Sequence, residues 1–189
     1  IAGEKWSSSG PLLITHWGMS GPAILKCSAF GARILAEKGY HATVLVNWSG
    51  DLKAEACLKV IQEQRSSNKL VVNAPLFGLK SRLWEFLLLK IGFSSQLRWS
   101  DVGPKQANRL VELLVNDAYK MEGKTTFKEE FVTAGGVDLN EIDVKTMQAK
   151  NYPGLFFAGE AMDIDGITGG FNFQAAWTTS FIAGKNCLT

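Results

Sequence analysis

The hydrophobic period of this 189-residue chain changes twice, once near Asp51 and again near Lys124. Between those points apolar residues recur at i, i+3 and i+4, the spacing of helices with one buried face. Outside them the apolar runs are short and β-rich, and glycine punctuates them. A chain patterned this way fits neither a plain bundle nor a plain sandwich. An α+β fold with a small helical subdomain near residues 51–122 is the expectation.

Within that frame the elements read as follows. Leu12–His16 forms a short strand, Gly18 and Gly21 bracket a turn, and Ser20 caps a helix that Pro22 opens. "AILKCSAFGARILAEKG" continues as one helix to Gly39, and "HATVLVNW" is a strand. Asp51 caps "LKAEACLKVIQEQR", and "LKSRLWEFLLLKIG" is a helix stopped by Gly92. "PKQANRLVELLVNDAYKMEG" is a long helix, with Ala107, Leu110, Val111, Leu114, Val115 and Ala118 on one face. "TTFKEEFVTAGGV" is a strand running into a Gly-Gly turn, and "GLFFAGE" is a short apolar strand. The last helix, Asn172 to about Ala183, carries few charges and is expected to be largely buried.

Charge is unevenly placed. Lys53 to Lys128 holds 13 basic and 7 acidic residues, whereas Glu129 to Thr189 holds 3 and 8. A basic middle and an acidic tail suggest two units with different work. Three cysteines without C-x-x-C spacing argue against a zinc site or a disulfide framework, and for thiols in a reducing, cytoplasmic setting. The most apolar stretch, "LWEFLLLKIGF", is interrupted by Glu85 and Lys90, so no membrane partner is expected.

The chemistry concentrates in "AGEAMDIDGITGGFNFQ". A helix start offers unpaired N–H groups and a partial positive charge. Gly169 and Gly170 remove side chains there, so a ligand can approach the backbone. Asn172 and Gln174 add amides. Glu160, Asp163 and Asp165 suit hydroxyl groups, but together they repel a bare phosphate unless one is turned away. A ligand with hydroxyls and a ring edge that becomes anionic on reduction fits this mixture, and a flavin nucleotide has both. "TAGGV" (133–137) is a second place where backbone can pass close to a flat ring. The Asp163-x-Asp165 pair has no further ligands at calcium-site spacing, so no metal is expected.

"VTAGGV", "EIDVKTMQAK" and "GLFFAGEAMDIDGITGGFNFQAAW" resemble the C-terminal signature of the BaiN-like FAD-dependent oxidoreductases, also called aminoacetone oxidase family flavoproteins. "LLITHWGMSGPAIL" is similar to the T-H-x-G-x-S-G-P block of that family. The resemblance implies a Rossmann-like FAD domain interrupted by an insert that contains a β-barrel and a helical subdomain. Residues 1–50 and 123–131 would form the β-barrel-like insert domain, 51–122 the helical subdomain, and 132–189 the returning C-terminal segment of the FAD domain. Ala134, Gly135 and Gly136 would lie near the flavin ring. Glu160 and Asp163 would lie near the sugar and ribityl hydroxyls, and Gly169, Gly170, Asn172 and Gln174 at the isoalloxazine edge, with Gly159 also among the cofactor-binding residues. His16 is a candidate proton donor facing the flavin.

The family's G-x-G-x-x-G fingerprint is absent, as is an initiator Met, so the chain is expected to be a fragment that lacks the dinucleotide-binding half of its FAD domain. Its partners would be that N-terminal half and a small-molecule substrate, with NAD(P)H as a candidate electron donor. Two other readings stand beside this flavoprotein oxidoreductase. One is a nucleic-acid-binding module using Lys80, Arg82, Lys90, Arg98, Lys105 and Arg109, against which counts the lack of any reader motif. The other is a purely structural interaction domain.

Overall fold

The computed structural model describes residues 1–124, 132–167 and 169–188. The chain forms two compact units. One comprises Ile1–Lys5 and Ala42–Met121, the other Trp6–His41 and Glu122–Thr189.

The first unit is built on helices α3 (Ala54–Gln64), α4 (Ser81–Lys90) and α5 (Pro104–Asn116), with strands β3 (His41–Val46) and β4 (Asp117–Glu122) paired beside them. Pro104 opens α5 as expected. Gln106 Oε1 accepts the Gly103 N–H at 3.0 Å, which satisfies the donor that precedes the helix. Ala107, Leu110, Val111 and Leu114 are buried, and α3 packs on α5 through Cys57 and Ile61. Trp84 and Trp99 stack obliquely, centroids 6.3 Å apart, and the Trp84 indole N–H donates to the Val71 carbonyl at 2.7 Å. Burial pushes the Cys57 thiol above its usual value, with a smaller opposing effect from a Ser49 hydrogen bond.

The long helix expected through Glu122 ends instead at Asn116. The Trp48 N–H reaches the Leu114 carbonyl at 2.7 Å and satisfies part of the last turn. The next side chain, Asp117, is buried and accepts from Trp48 Nε1 at 2.9 Å and from Lys90 Nζ at 2.5 Å. Lys90 also sits 4.1 Å from the Tyr119 ring centroid. Those partners hold the chain extended, so Ala118 lies exposed on a strand and not on a helix face. Asp51 does not cap α3, which begins three residues later, at Ala54 behind Lys53.

Burial, and after it the hydrogen bond and charge of Asp117, raise the Tyr119 phenol above its ordinary range. The fold therefore disfavours the ionised ring. Its contribution to stability is complete below about pH 10, the unfolded value, and is lost as pH rises from there toward the folded value. Tyr119→Phe is expected to flatten the loss of stability between about pH 9.5 and 11 in urea titrations. Identical slopes in the two proteins would contradict this.

The second unit holds a hairpin, β1 (Leu13–Ile14) with β2 (Met19–Ser20), paired Leu13 to Ser20 and Ile14 to Met19. Helices α1 (Pro22–Phe30) and α2 (Ala32–Glu37) follow. The residue ahead of α1 is Gly21 and not Ser20, and no side chain caps it. The single helix expected here is broken at Gly31, where a Cβ would come within 2.6 Å of the Trp6 ring. A second hairpin, β5 (Ile142–Asp143) with β6 (Gln148–Ala149), carries Ile142 and Met147. With Met162 these form a small core, lined by Val137, Phe157, Ile164, Ile182 and Ala183. The final helix α6 runs Gly170–Cys187.

Three expectations are corrected. Among the described residues the strands form three two-stranded sheets, and none closes into a barrel. "GLFFAGE" is not a strand: Phe156 makes one bridge to Gln148, and Gly159–Ala161 is a 3-10 turn. Helix α6 is not largely buried, since Phe171, Phe173, Trp177 and Phe181 are all exposed. The strand expected over "TTFKEEF", and most of the 123–131 segment, lie outside the described residues. No described helix is long and apolar enough to cross a membrane.

Candidate functional site

The two glycine-rich stretches lie side by side in the second unit. Val137 and Met162 form a parallel bridge, with the Val137 N–H donating to the Ala161 carbonyl and the Asp163 N–H to the Val137 carbonyl, both at 2.9 Å. The bridge brings Gly136 and Val137 alongside Ala161–Asp163. The Gly159 N–H then donates to Thr179 Oγ1 at 2.9 Å, which ties the loop to α6. Asn172, in the first turn of α6, holds the other end: its Oδ1 accepts from the Gly166 N–H at 2.8 Å and its Nδ2 donates to the Gly166 carbonyl at 3.2 Å.

The glycines divide into two groups. At Gly136 (φ 142°) a Cβ would lie 2.5 Å from the Met162 carbonyl carbon, so this glycine serves the approach of two backbone segments. At Gly135 (φ 113°), Gly169 (φ 135°) and Gly170 a Cβ would meet nothing within 4 Å. Gly135 and Gly169 hold conformations that L side chains rarely adopt, with open space in front of them. Gly159 (φ 67°) packs against Ala176. Gly170 opens α6, where backbone N–H groups have no intrahelical acceptor.

The polar residues divide as well. Glu160 is exposed. Gln174 Nε2 donates to Thr178 Oγ1 at 3.0 Å on an exposed face. Asp163 is engaged: Arg33 Nη2, from α2, donates to both of its carboxylate oxygens at 2.5 and 2.6 Å. Asp163 raises the Arg33 pKa by hydrogen bond and charge, and Asp165 and Asp138 add smaller contributions of the same sign. The carboxylate cluster is thus partly neutralised, which eases the repulsion an anionic ligand would meet. Arg33 escapes sequence reading, being 130 residues from Asp163 in a segment with no motif. Arg33 and Asp165 also line a pocket of about 150 Å³ with Ala29, Phe30 and Ala32.

His16 lies exposed in the β1–β2 turn. None of the hydrogen bonds above joins it to the glycine loop. Ala134 is exposed, beside Gly135. Among the described residues no group of three or more His, Cys, Asp and Glu is placed to hold a metal ion.

The sequence matches the profile of the family described as HI0933-like protein Rossmann domain over residues 3–186. It is 32% identical over 179 residues to a ribosomal RNA dihydrouridine synthase of Escherichia coli (strain K12), covering 94% of this chain and 42% of that protein. The ribosomal RNA dihydrouridine synthase of Haemophilus influenzae is 28% identical over 170 residues, covering 90% and 40%. A 3-dehydro-bile acid delta(4,6)-reductase of Clostridium scindens is 27% identical over 183 residues, covering 94% and 44%. The chain therefore spans less than half the length of these relatives.

Proposed function

The chain belongs to the HI0933-like family, and from that membership we propose that it is part of an FAD-dependent oxidoreductase of the BaiN-like kind, which saturates a carbon–carbon double bond in its substrate. The observation that carries this reading is the open backbone at Gly169 and Gly170, where α6 starts, and at Gly135, next to the Gly136 that packs on the Met162 backbone. A Δ4,6-reductase and a dihydrouridine synthase both, by name, saturate such a bond.

The residues present fit a flavin. Gly135, Gly169 and Gly170 leave room for a flat ring, and the α6 N–H groups favour negative charge at its carbonyl edge. Glu160 is free to accept from sugar hydroxyls. Asp163, held by Arg33, offers a fixed edge beside it. Gly136 and Asn172 act one layer back, packing Met162 and clamping Gly166. When bound, the flavin supplies the hydride, and NAD(P)H is the candidate donor that replenishes it. His16 remains the candidate for delivering a proton to the substrate.

The complete protein encoded by the gene should purify yellow, whereas this chain alone, without a dinucleotide-binding half, should be colourless after gel filtration with excess FAD. A stoichiometric flavin band on the 189-residue chain would overturn the second expectation, and a complete protein that takes up no FAD would overturn the reading. Glu160→Gln in the complete protein is expected to weaken FAD by about tenfold to a hundredfold, the range for losing one charge-assisted hydrogen bond. Unchanged affinity in a titration would remove Glu160 from the site.

A second reading concerns the substrate. The basic surplus of the middle segment, together with the names of the Escherichia coli and Haemophilus influenzae relatives, favours a uracil within RNA over a free small molecule. Of the six basic residues considered above, Lys90 is engaged by Asp117 and Arg98 donates to the Asn68 carbonyl at 2.8 Å. Lys80, Arg82, Lys105 and Arg109 remain, all exposed. Four phosphate contacts predict a log–log salt slope of about −3 for single-stranded RNA. Salt-independent binding, or none, would return the substrate to the small-molecule class.

A further inference from the structure

The break between α1 and α2 opens a small pocket. Ala29 and Phe30 close α1, Ala32 and Arg33 open α2, and these four line about 150 Å³ of space together with Asp165. Trp6 packs at right angles to Phe30, ring centroids 5.9 Å apart, and leaves the Phe30 side chain 62% exposed. Arg33 is fixed by its fork to Asp163, which uses Nη2 alone. Among the described residues its Nη1 and Nε donors make no hydrogen bond, and the Asp165 carboxylate accepts none. Asp165 is nevertheless near enough to Arg33 to add to the rise of its pKa. The pocket thus pairs unspent cationic donors with an unspent carboxylate beside an aromatic ring.

We infer that this pocket is a uracil-selecting subsite, in which Arg33 donates to the O4 carbonyl, Asp165 accepts from N3–H and Phe30 stacks on the base. Three observations select that ligand. The volume lies well below the roughly 300–1,000 Å³ of pockets for larger ligands, so it takes one ring and not a three-ring flavin. Asp163 already neutralises Arg33, and Asp165 and Asp138 add negative charge nearby, so a phosphate or carboxylate is disfavoured and a neutral group with its own N–H is preferred. Uracil sets a carbonyl acceptor beside an N–H donor, whereas cytosine sets an amino donor beside a bare ring nitrogen. A guanidinium next to a carboxylate matches the first edge and opposes the second. Unpaired bases in RNA are read in this manner, stacked on an aromatic ring and bonded along the Watson–Crick edge. The inference rests on the reading of a uracil within RNA as the substrate, and it adds the residues that choose the base.

The test is a ligand-observed NMR titration of the complete protein, as purified, with uridine, cytidine and N3-methyluridine. Uridine should bind at least tenfold more tightly than either of the others, the lower bound for losing one charge-assisted hydrogen bond. Asp165→Asn should shrink the preference for uridine over cytidine at least tenfold, because an amide can donate to the cytosine ring nitrogen. Phe30→Ala should weaken both nucleosides alike, by about tenfold. Circular dichroism excludes misfolded variants, and the N3-methyluridine comparison needs no variant. Equal affinities for the three nucleosides, no binding at all, or a preference that Asp165→Asn leaves unchanged each overturn the inference. So does uridine that binds only after bound flavin is stripped, which would assign the pocket to the flavin. Binding of a single-stranded oligouridine, with its salt slope, is measured alongside. Uridine selection without RNA binding leaves the subsite standing and removes RNA as the substrate, and salt-dependent RNA binding without nucleoside selection does the reverse.

Discussion

Asp117→Ala is expected to destabilise the Ala42–Met121 unit by about 3 kcal/mol, the lower end of the range for breaking a buried ion pair. The Asp117 side chain is 2% exposed, and both of its oxygens are in use. Removing it strands the Lys90 ammonium against the Tyr119 ring and leaves the Trp48 indole N–H without an acceptor. Lys90 is about one-third exposed, so its head can turn to water, which is why the larger losses in that range are not expected. Asp117→Asn keeps an acceptor for Trp48 and should lose less. The end of α5 is also at stake, because the Trp48 backbone that satisfies the Leu114 carbonyl is anchored by the same carboxylate. Urea denaturation followed by circular dichroism measures the difference, and a change below about 1 kcal/mol, the level of a surface pair, would show that the network contributes little.

Gly170→Val in the complete protein is expected to reduce FAD affinity by about a hundredfold, equivalent to roughly 2.7 kcal/mol of steric and positional loss, while leaving the fold intact. The fold is expected to tolerate the change because a Cβ at Gly170 meets nothing within 4 Å, and the residue is already helical. The space in front of it is therefore either empty by accident or kept for a ligand, and the substitution separates the two. Gly136→Val is the contrasting change. Its Cβ would strike the Met162 backbone at 2.5 Å, so it should lower stability before any ligand is added. If Gly170→Val binds FAD as the parent does, the start of α6 is not a flavin contact.

Sequence pattern located α4, the body of α5 and β3, because each has a strong period and clear ends. It failed at Asp117, where the choice between helix and strand is made by Trp48 and Lys90, 69 and 27 residues away. It failed at Gly31, whose break depends on Trp6 lying across it. It failed at α6, expected to be largely buried, because a low charge count says nothing about whether a packing partner is at hand, and Phe171, Phe173, Trp177 and Phe181 stand exposed. At the candidate site both glycine stretches were visible as composition. Neighbouring Gly135 and Gly136 are the same letter, yet one faces open space and the other a carbonyl. The link from Arg33 to Asp163 left no local trace at all.

That link also orders events in time. Arg33 and Asp163 are 130 positions apart, and the unit they belong to is interrupted by residues 42–121. A ribosome has released most of the helical unit before it makes the glycine loop, and closing a loop of that length is slow compared with forming contacts inside it. The Ala42–Met121 unit can thus condense as soon as it emerges, whereas α1 and α2 must wait, their partner segment still unmade, until the last quarter of the chain arrives. During that interval the exposed side chains of the first hairpin, Leu13, Ile14 and Trp17, are the surface most open to misassociation.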